Sequence, residues 1–171
     1  TADKTVTVEN GVNIGAVKLN QTGGANTGTF VFQGDSIVSA ESDARAIKAI
    51  EVQGDGKTVT LLKNIETHNN IKLSNNATLA VAGNIITDNA NGNDNDGDGL
   101  IGAADNNGKL KFINSAAVTV DGRVGAAAAK LQSIEFNGGG KVTFNNIVRH
   151  DARDLLFTSN TASEVIFNDQ D

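Results

Sequence analysis

The sequence predicts an all-β chain folded as a right-handed parallel β-helix, and three observations support this fold class. Short segments rich in Val, Ile, Thr and Phe recur along the 171 residues, and most of them end at Gly, Asn or Asp. The apolar residues are mostly small or β-branched, because the chain has no Trp, Tyr, Met or Pro and only seven Phe. The chain also resembles itself, as two copies of a unit of roughly 80 residues.

The strand signal in each segment is an alternation of apolar and polar residues, which places one face of the strand in a core. In chain order, the segments with this signal are TVTVEN, AVKLN, TFVFQGD, SIVSA, AIEVQGDG, TVTLL, NIKLSNN, ATLAVAGN, KLKFIN, AVTVDG, SIEFNGGG, KVTFNN, DLLFTSN and EVIFNDQ. The Gly, Asn and Asp residues that end them tolerate the backbone angles of tight turns. The pattern therefore predicts many short strands joined by tight corners.

The internal resemblance consists of three pairs of segments that occur in the same order. They are TGTFVFQGDSIVS (27–39) with NGKLKFINSAAVT (107–119), IKAIEVQGDGK (47–57) with LQSIEFNGGGK (131–141), and KNIETHN (63–69) with NNIVRHD (145–151). This order predicts one solenoid over residues 1–171, with repeat units at 27–87 and 107–167 joined by an acidic loop at 88–106. A β-sandwich, which also contains many short strands, is the structural alternative.

Composition narrows the classes of partner and compartment. The net charge is −6, and five acidic residues with no Lys or Arg lie between Asp88 and Asp105. Nucleic-acid partners require basic surfaces, so we expect no nucleic-acid partner.

The absence of Cys excludes disulfides and thiolate metal sites, and no apolar run approaches the ~18 residues of a membrane span. The start at Thr1-Ala2 predicts a processed product or a fragment of a longer chain.

Three segments carry a resemblance to a known family. NNIKLSNNATLAVAGNIIT (69–87), NGKLKFINSAAVTVDGRVG (107–125) and LQSIEFNGGGKVTFNNIV (131–148) resemble the passenger repeats of autotransporter outer-membrane proteins, of the rickettsial surface cell antigen and outer membrane protein A and B type. The resemblance implies a passenger segment at the bacterial cell surface, adhesive towards a host-cell protein or glycan and not itself membrane-embedded. The acidic stretch 88–106 departs from the repeat pattern.

The segment DNDGDGLIGAAD (94–105) has the spacing of a calcium-binding hand loop. Gly99 occupies the sharp turn at position 6, and Ile101 occupies the apolar position 8. Ca²⁺ prefers six to eight oxygen ligands, and clustered carboxylates favour a bound cation. The spacing predicts a structural Ca²⁺ site whose ligands are Asp94, Asp96, Asp98, the Leu100 carbonyl and Asp105. The alternative is a solvated, Asn- and Gly-rich surface loop without metal.

No set of residues predicts a catalytic site. His68 and His150 occupy matching positions of the two repeat units, and both are interpreted as ordinary turn residues. The segment VRHDARD (148–154) is the one place where an enzyme would be sought, and a solvated, ion-paired turn is the favoured interpretation.

Three functional hypotheses follow from these features. The leading hypothesis is a non-enzymatic surface segment that acts in adhesion. A β-helical polysaccharide lyase or hydrolase is one alternative, against which the absence of Trp and Tyr as sugar-stacking residues counts. A purely structural surface-layer or spacer element is the other.

Overall fold

The structure is a computed structural model, and it describes residues 4–15, 18–19, 28–42, 47–87, 100–103, 107–126, 128–145, 152–158 and 164–168. All regular elements in these residues are β-strands. Every strand pairing among them is parallel. The predicted parallel β-helix is therefore confirmed, and the sandwich alternative, whose sheets are antiparallel, is wrong.

Strand bounds follow the apolar segments closely. In chain order the described strands are β1 Lys4–Val8, β2 Gly28–Phe32, β3 Ser36–Val38, β4 Ala49–Val52, β5 Thr58–Leu61, β6 Ile65–Thr67, β7 Ile71–Leu73, β8 Thr78–Val81, β9 Ile85–Thr87, β10 Leu100–Ala103, β11 Lys109–Phe112, β12 Val118–Asp121, β13 Arg123–Val124, β14 Leu131–Phe136, β15 Val142–Asn145, β16 Ala152–Phe157 and β17 Val165–Phe167.

The strands form three sheets that wrap around one core. Sheet 1 has the order β1-β2-β4-β7-β10-β13, sheet 2 has the order β16-β14-β11-β8-β5-β3, and sheet 3 has the order β17-β15-β12-β9-β6. From β4 to β15 the chain visits sheets 1, 2 and 3 in rotation, and each return stacks a strand beside the one before it. Five crossovers connect the six strands of sheet 1, so the described strands make about five turns.

Side chains that point inward stack in columns, with one residue from each turn. The longest column runs along sheet 2 and contains Ile14, Val38, Leu61, Val81, Phe112, Phe136 and Phe157. On sheet 1 the matching column contains Val6, Phe30, Ile50, Ile71, Ile101 and Val124. The column of sheet 3 contains Ile65, Ile85, Val120, Phe144 and Phe167.

Alternation of burial along single strands explains why these sequences form the columns. In β5, Val59 and Leu61 are buried while Thr58 and Thr60 are half-buried, and β11 repeats the pattern with Leu110 and Phe112 inside. Each large apolar side chain that is fully buried contributes about 1.5–3 kcal/mol to stability, before the entropy of ordering is subtracted. The columns are therefore the main source of stability along the axis.

Asn and Asp side chains at the corners link successive turns. At the corner between sheets 1 and 2, the Asn10 Oδ1 accepts from the Asp35 N–H at 3.0 Å, and the Asp35 Oδ1 accepts from the Thr58 N–H at 2.8 Å. At the corner between sheets 2 and 3, Asn64 and Asn84 act in the same way. The Asn64 Oδ1 accepts from the Asn84 N–H at 2.9 Å, and the Asn84 Oδ1 accepts from the Thr119 N–H at 2.8 Å.

Glycine is required where one corner lies directly on the next. A Cβ atom on Gly83 would lie 2.4 Å from the carbonyl carbon of Lys63, a main-chain atom of the preceding turn. Asn serves at turns with left-handed backbone, since Asn75 and Asn76 have φ of 56° and 59°. Glycine and asparagine are thus found at the corners for two different reasons. Glycine allows close approach of the preceding turn, and asparagine tolerates the left-handed backbone.

The division into repeat units at 27–87 and 107–167 stays a prediction. The matched segments lie on different sheets: β2 belongs to sheet 1, whereas its counterpart β11 belongs to sheet 2. Similarly, β4 lies in sheet 1 and its counterpart β14 lies in sheet 2. The resemblance between the segments therefore does not superimpose sheet on sheet.

Candidate functional site

The acidic stretch is inserted at a corner between sheet 3 and sheet 1. Residues 88–99 separate β9 from β10, whereas residues 68–70 form the corresponding corner between β6 and β7 and Gly122 alone separates β12 from β13. Within the predicted acidic loop 88–106, Leu100–Ala103 form β10, which pairs with β7 on one side and β13 on the other. The chain therefore re-enters the helix before the predicted loop ends.

The predicted calcium ligands Asp94, Asp96, Asp98 and Asp105 lie outside the described residues. The fifth ligand, Leu100, begins β10 and pairs with Arg123. Ile101, predicted as the apolar anchor of the loop, is fully buried and belongs to the inward column of sheet 1. In the described part of the chain, no group of three or more His, Asp and Glu side chains is placed to hold a metal ion. The Ca²⁺ site stays a prediction.

A recess on the outer face of sheet 1 lies directly against β10. Glu51, Lys72 and Gly102 are successive neighbours in one outward row, so the missing side chain of Gly102 leaves a gap beside Lys72. Ala128 and Ala129 line the side of this gap, and the Ala103 N–H donates to the Ala129 carbonyl at 3.3 Å. The recess has a volume of ≈ 370 Å³, near the lower end of the range of about 300–1,000 Å³ for ligand pockets.

Polar groups on the other walls give the recess mixed character. The carboxylate of Glu51 accepts from the Gln53 amide at 2.6 Å, and Asn69 and Asn70 line the rim towards the corner. The Lys72 ammonium is exposed and forms no hydrogen bond or ion pair within the described chain. The recess therefore offers one cation, one carboxylate and carboxamides beside alanine methyl groups, which suits polar contacts with a partner surface.

Sequence reasoning missed this recess. Its one signal is a glycine inside a strand, since a strand glycine often marks a place where another backbone or a ligand approaches closely. The sequence does not show that Glu51, Lys72 and Gly102 are neighbours on adjacent strands. The insertion at 88–99 leaves open at which residue the chain rejoins sheet 1.

The remaining sequence candidates do not form a catalytic cluster among the described residues. Arg153 and Asp154 lie in β16, a strand where a turn was predicted, and their side chains form an exposed ion pair at 3.5 Å. Arg149, His150 and Asp151 lie outside the described residues. His68 is half-buried at the corner after β6, where its backbone N–H donates to the Ile47 carbonyl at 2.9 Å. The interpretation of His68 as an ordinary turn residue stays a prediction.

The fold and the recess define a β-solenoid that carries a polar recess on the outer face of sheet 1. The chain is similar to outer membrane protein B of Rickettsia rickettsii, with 29% identity over 151 residues, 85% of this chain. Outer membrane protein B of Rickettsia conorii is 29% identical over 150 residues, and that of Rickettsia prowazekii is 28% identical over 151 residues. The predicted resemblance to rickettsial outer membrane proteins is thus confirmed.

The chain spans 8% of the length of these relatives. Their names support the predicted location at the bacterial cell surface. No family model and no solved structure matches the sequence. In the described residues there is no helix long and apolar enough to cross a membrane.

Proposed function

We propose that the chain is a non-enzymatic segment of a longer bacterial surface protein, an autotransporter-type passenger that acts in adhesion to host cells. The similarity to outer membrane protein B over 85% of the chain is the observation that carries this proposal. The fold supports it, because continuous inward columns make a stiff scaffold whose outer rows are free to vary. The partner in this proposal is a host-cell surface protein or glycan.

The outer face of sheet 1 is the contact surface that we assign to this function. It combines the Lys72 ammonium, the Glu51 carboxylate and the gap at Gly102, whereas the inward positions of the same strands are occupied by the core. Polar residues beside a shaped recess are typical of a specific contact site. Adhesion would then depend on charge at this face more than on total charge.

Binding of coated beads to cultured host cells tests the proposal. Beads that carry the chain should bind more cells than bare beads, and Lys72→Glu should reduce binding. Lys63→Glu is the matched control. It makes the same change of charge, but Lys63 lies at the corner between sheets 2 and 3, away from the outer face of sheet 1. Equal binding by coated and bare beads would contradict the adhesive role. Equal loss with both variants would contradict the assignment to sheet 1.

The proposal includes a structural Ca²⁺ site formed by Asp94, Asp96, Asp98, the Leu100 carbonyl and Asp105. The burial of Ile101 supports it, because position 8 of such a loop is apolar and anchors the loop to a core. The role of the ion would be to neutralise clustered carboxylates at the root of β10. A site with Asp in place of Glu at position 12 should bind weakly, with Kd of about 10⁻⁴–10⁻³ M, as in extracellular modules.

Titration calorimetry with CaCl₂ tests the metal site independently of adhesion. The chain should release or absorb heat with one saturable site and melt at a higher temperature in Ca²⁺. The double variant Asp96→Asn, Asp98→Asn should lose both effects, while Asp55→Asn, at an exposed turn of the described chain, should keep them. No heat and no thermal shift at several times the expected Kd would exclude the site.

A further inference from the structure

Three polar groups around the recess on sheet 1 are open to a ligand. The Lys72 ammonium and the Asn69 carboxamide form no hydrogen bond within the described residues. One carboxylate oxygen of Glu51 accepts from the Gln53 amide at 2.6 Å, and the other makes no hydrogen bond in the same part of the chain. A few polar groups that converge on a concave surface are typical of a binding site. The recess therefore offers a cation, an acceptor, and a carboxamide that both donates and accepts.

The charge beside the gap at Gly102 is positive, although the whole chain has a net charge of −6. In strands β7, β10 and β13 the charged residues are Lys72 and Arg123, and both are cationic. Neighbouring strands lie about 4.8 Å apart, so the backbone at Glu51, two strands away, is about 10 Å from the gap. Lys72 lies between Glu51 and the gap in this row. The gap therefore suits a negatively charged group.

Apolar groups on the side of the gap restrict the kind of anion that fits. Ala128 and Ala129 line this side as an alanine wall, and the hydrogen bond from the Ala103 N–H to the Ala129 carbonyl ties the wall to β10. Methyl groups suit an acetyl group or the face of a sugar ring. The volume of ≈ 370 Å³ suits a small ligand, whereas a stable protein interface buries about 800 Å² on each partner.

We propose that this recess binds the terminal sugar of a host-cell glycan, and that this sugar is both carboxylated and N-acetylated. Its carboxylate pairs with the Lys72 ammonium in the gap at Gly102. Its hydroxyl groups bond to Asn69 and to the open oxygen of Glu51, and its acetyl methyl packs against the alanine wall. The sugar is the ligand class for the adhesive function proposed above, and the proposal rests on that function.

NMR titration of the isotope-labelled chain tests the proposal without cells. The probe is the methyl α-glycoside of N-acetylneuraminic acid, which carries a carboxylate and an N-acetyl group. The amide signals of Lys72, Gly102 and Ala129 should shift and saturate, with Kd on the order of 1 mM for one sugar in an open recess. The amide signal of Lys111, on sheet 2, should not move. N-acetylglucosamine, which lacks the carboxylate, should bind at least about tenfold more weakly.

Variants locate the site by charge and by shape. Lys72→Met removes the ammonium and keeps the aliphatic chain, and Gly102→Val fills the gap, so each should weaken sugar binding at least about tenfold. Lys63→Met is the matched control, because Lys63 is exposed at another corner and should leave Kd unchanged. Circular dichroism checks that each variant is folded. Ala128→Leu, on the exposed rim, narrows the recess without altering β10 and replaces Gly102→Val if that variant does not fold.

Treatment of cells with sialidase, which removes terminal acidic sugars, separates this proposal from adhesion itself. Coated beads should bind treated cells less than untreated cells. Equal binding to both would overturn the sugar as the ligand while adhesion stood, and so would the absence of any shift at several times the expected Kd. If coated beads bound no cells while the sugar shifts were present, adhesion alone would be contradicted and the sugar site supported.

Three further results of the titrations would overturn the proposal. Equal affinity for N-acetylglucosamine would show that the carboxylate is not recognised. Unchanged affinity in Lys72→Met would place the sugar elsewhere. Tighter binding of an acetylated tri-aspartate peptide than of the sugar would assign the recess to an acidic protein segment instead.

Discussion

The turn from Ile65 to Ile85 and the turn from Ile85 to Val120 use the same three sheets, yet only the second carries an insertion. In the first turn the corner before sheet 1 is residues 68–70, and in the second it is residues 88–99. After the insertion, β10, β11 and β12 pair with β7, β8 and β9 in order. The strands therefore fix the turn, while the length of the corner is free to change.

The largest expected effect on stability comes from truncating two neighbouring side chains of the sheet 1 column. One precedes the insertion in the sequence and the other follows it. Ile71 and Ile101 are both fully buried and face each other in the ladder. Ile71→Ala and Ile101→Ala should each lower the free energy of unfolding by about 2–5 kcal/mol, because each leaves a cavity. Urea denaturation measures both.

Thr60→Ala, on the outward row of sheet 2, is the control and should change stability by no more than about 0.5 kcal/mol. If Ile101→Ala cost as little as this control while Ile71→Ala cost the full amount, the strand after the insertion would not belong to the core. The claim that both turns are packed into the same core would then be wrong.

Replacing residues 88–99 with the corner sequence His-Asn-Asn of residues 68–70 should leave the fold intact. Each halving of loop length removes about 0.6 kcal/mol of closure entropy, so stability measured in EDTA should rise by about 1 kcal/mol. The heat of Ca²⁺ binding should disappear. A control loop of unchanged length, with Asn at each Asp position, should lose the heat without gaining stability. Loss of the circular-dichroism spectrum of β-structure in the shortened variant would show that the insertion is needed for folding.

The corner hydrogen bonds give a smaller, matched comparison. Asn64 spans the regular turn, and Asn84 spans the turn with the insertion. Asn64→Ala and Asn84→Ala should each cost about 0.5–1.5 kcal/mol, since each leaves one N–H of the next turn without its acceptor. Asn84→Asp keeps an acceptor oxygen and should retain most of the stability in thermal melts. If Asn84→Ala left stability unchanged while Asn64→Ala lowered it, this corner hydrogen bond would not stabilise the turn with the insertion.

The fold class and most strands of sheets 1 and 2 could be predicted from the sequence, because segments such as KLKFIN and TVTLL alternate clearly. Strands β6, β9 and β13 were not among the predicted segments. The strand β10 was assigned to the acidic loop, because the calcium-loop spacing runs through it. The recess at Gly102 depends on pairing across the insertion, which no local pattern encodes.

The smallest expected effect is a pH dependence at a regular corner. The backbone N–H of Thr58, and next the Lys57 ammonium at 3.4 Å, hold the pKa of the Asp35 carboxyl below its ordinary value. A depressed folded-state pKa stabilises the chain above the unfolded-state pKa, and this contribution is lost as the pH falls through the folded-state pKa.

Asp35→Asn keeps an acceptor for Thr58 but removes the charge. The stability difference between the chain and this variant should therefore be present near neutral pH and shrink below the ordinary Asp pKa of about 3.9. Asp55→Asn, at the neighbouring exposed turn, is the comparison variant. Melting curves at several pH values measure this stability difference. If the difference grew as the pH fell, the pKa of Asp35 would be raised in the folded chain and not lowered.

Amide hydrogen exchange at β10 compared with β7 tests most directly the claim that the chain rejoins the helix after the acidic insertion. The Gly125 N–H donates to the Ile101 carbonyl at 2.7 Å, and β10 lies between two strands as β7 does. The amides of Ile101 and Ile71 should therefore exchange at similar, slow rates, because both open only when the core opens. Fast exchange at Ile101 beside slow exchange at Ile71 would contradict the account.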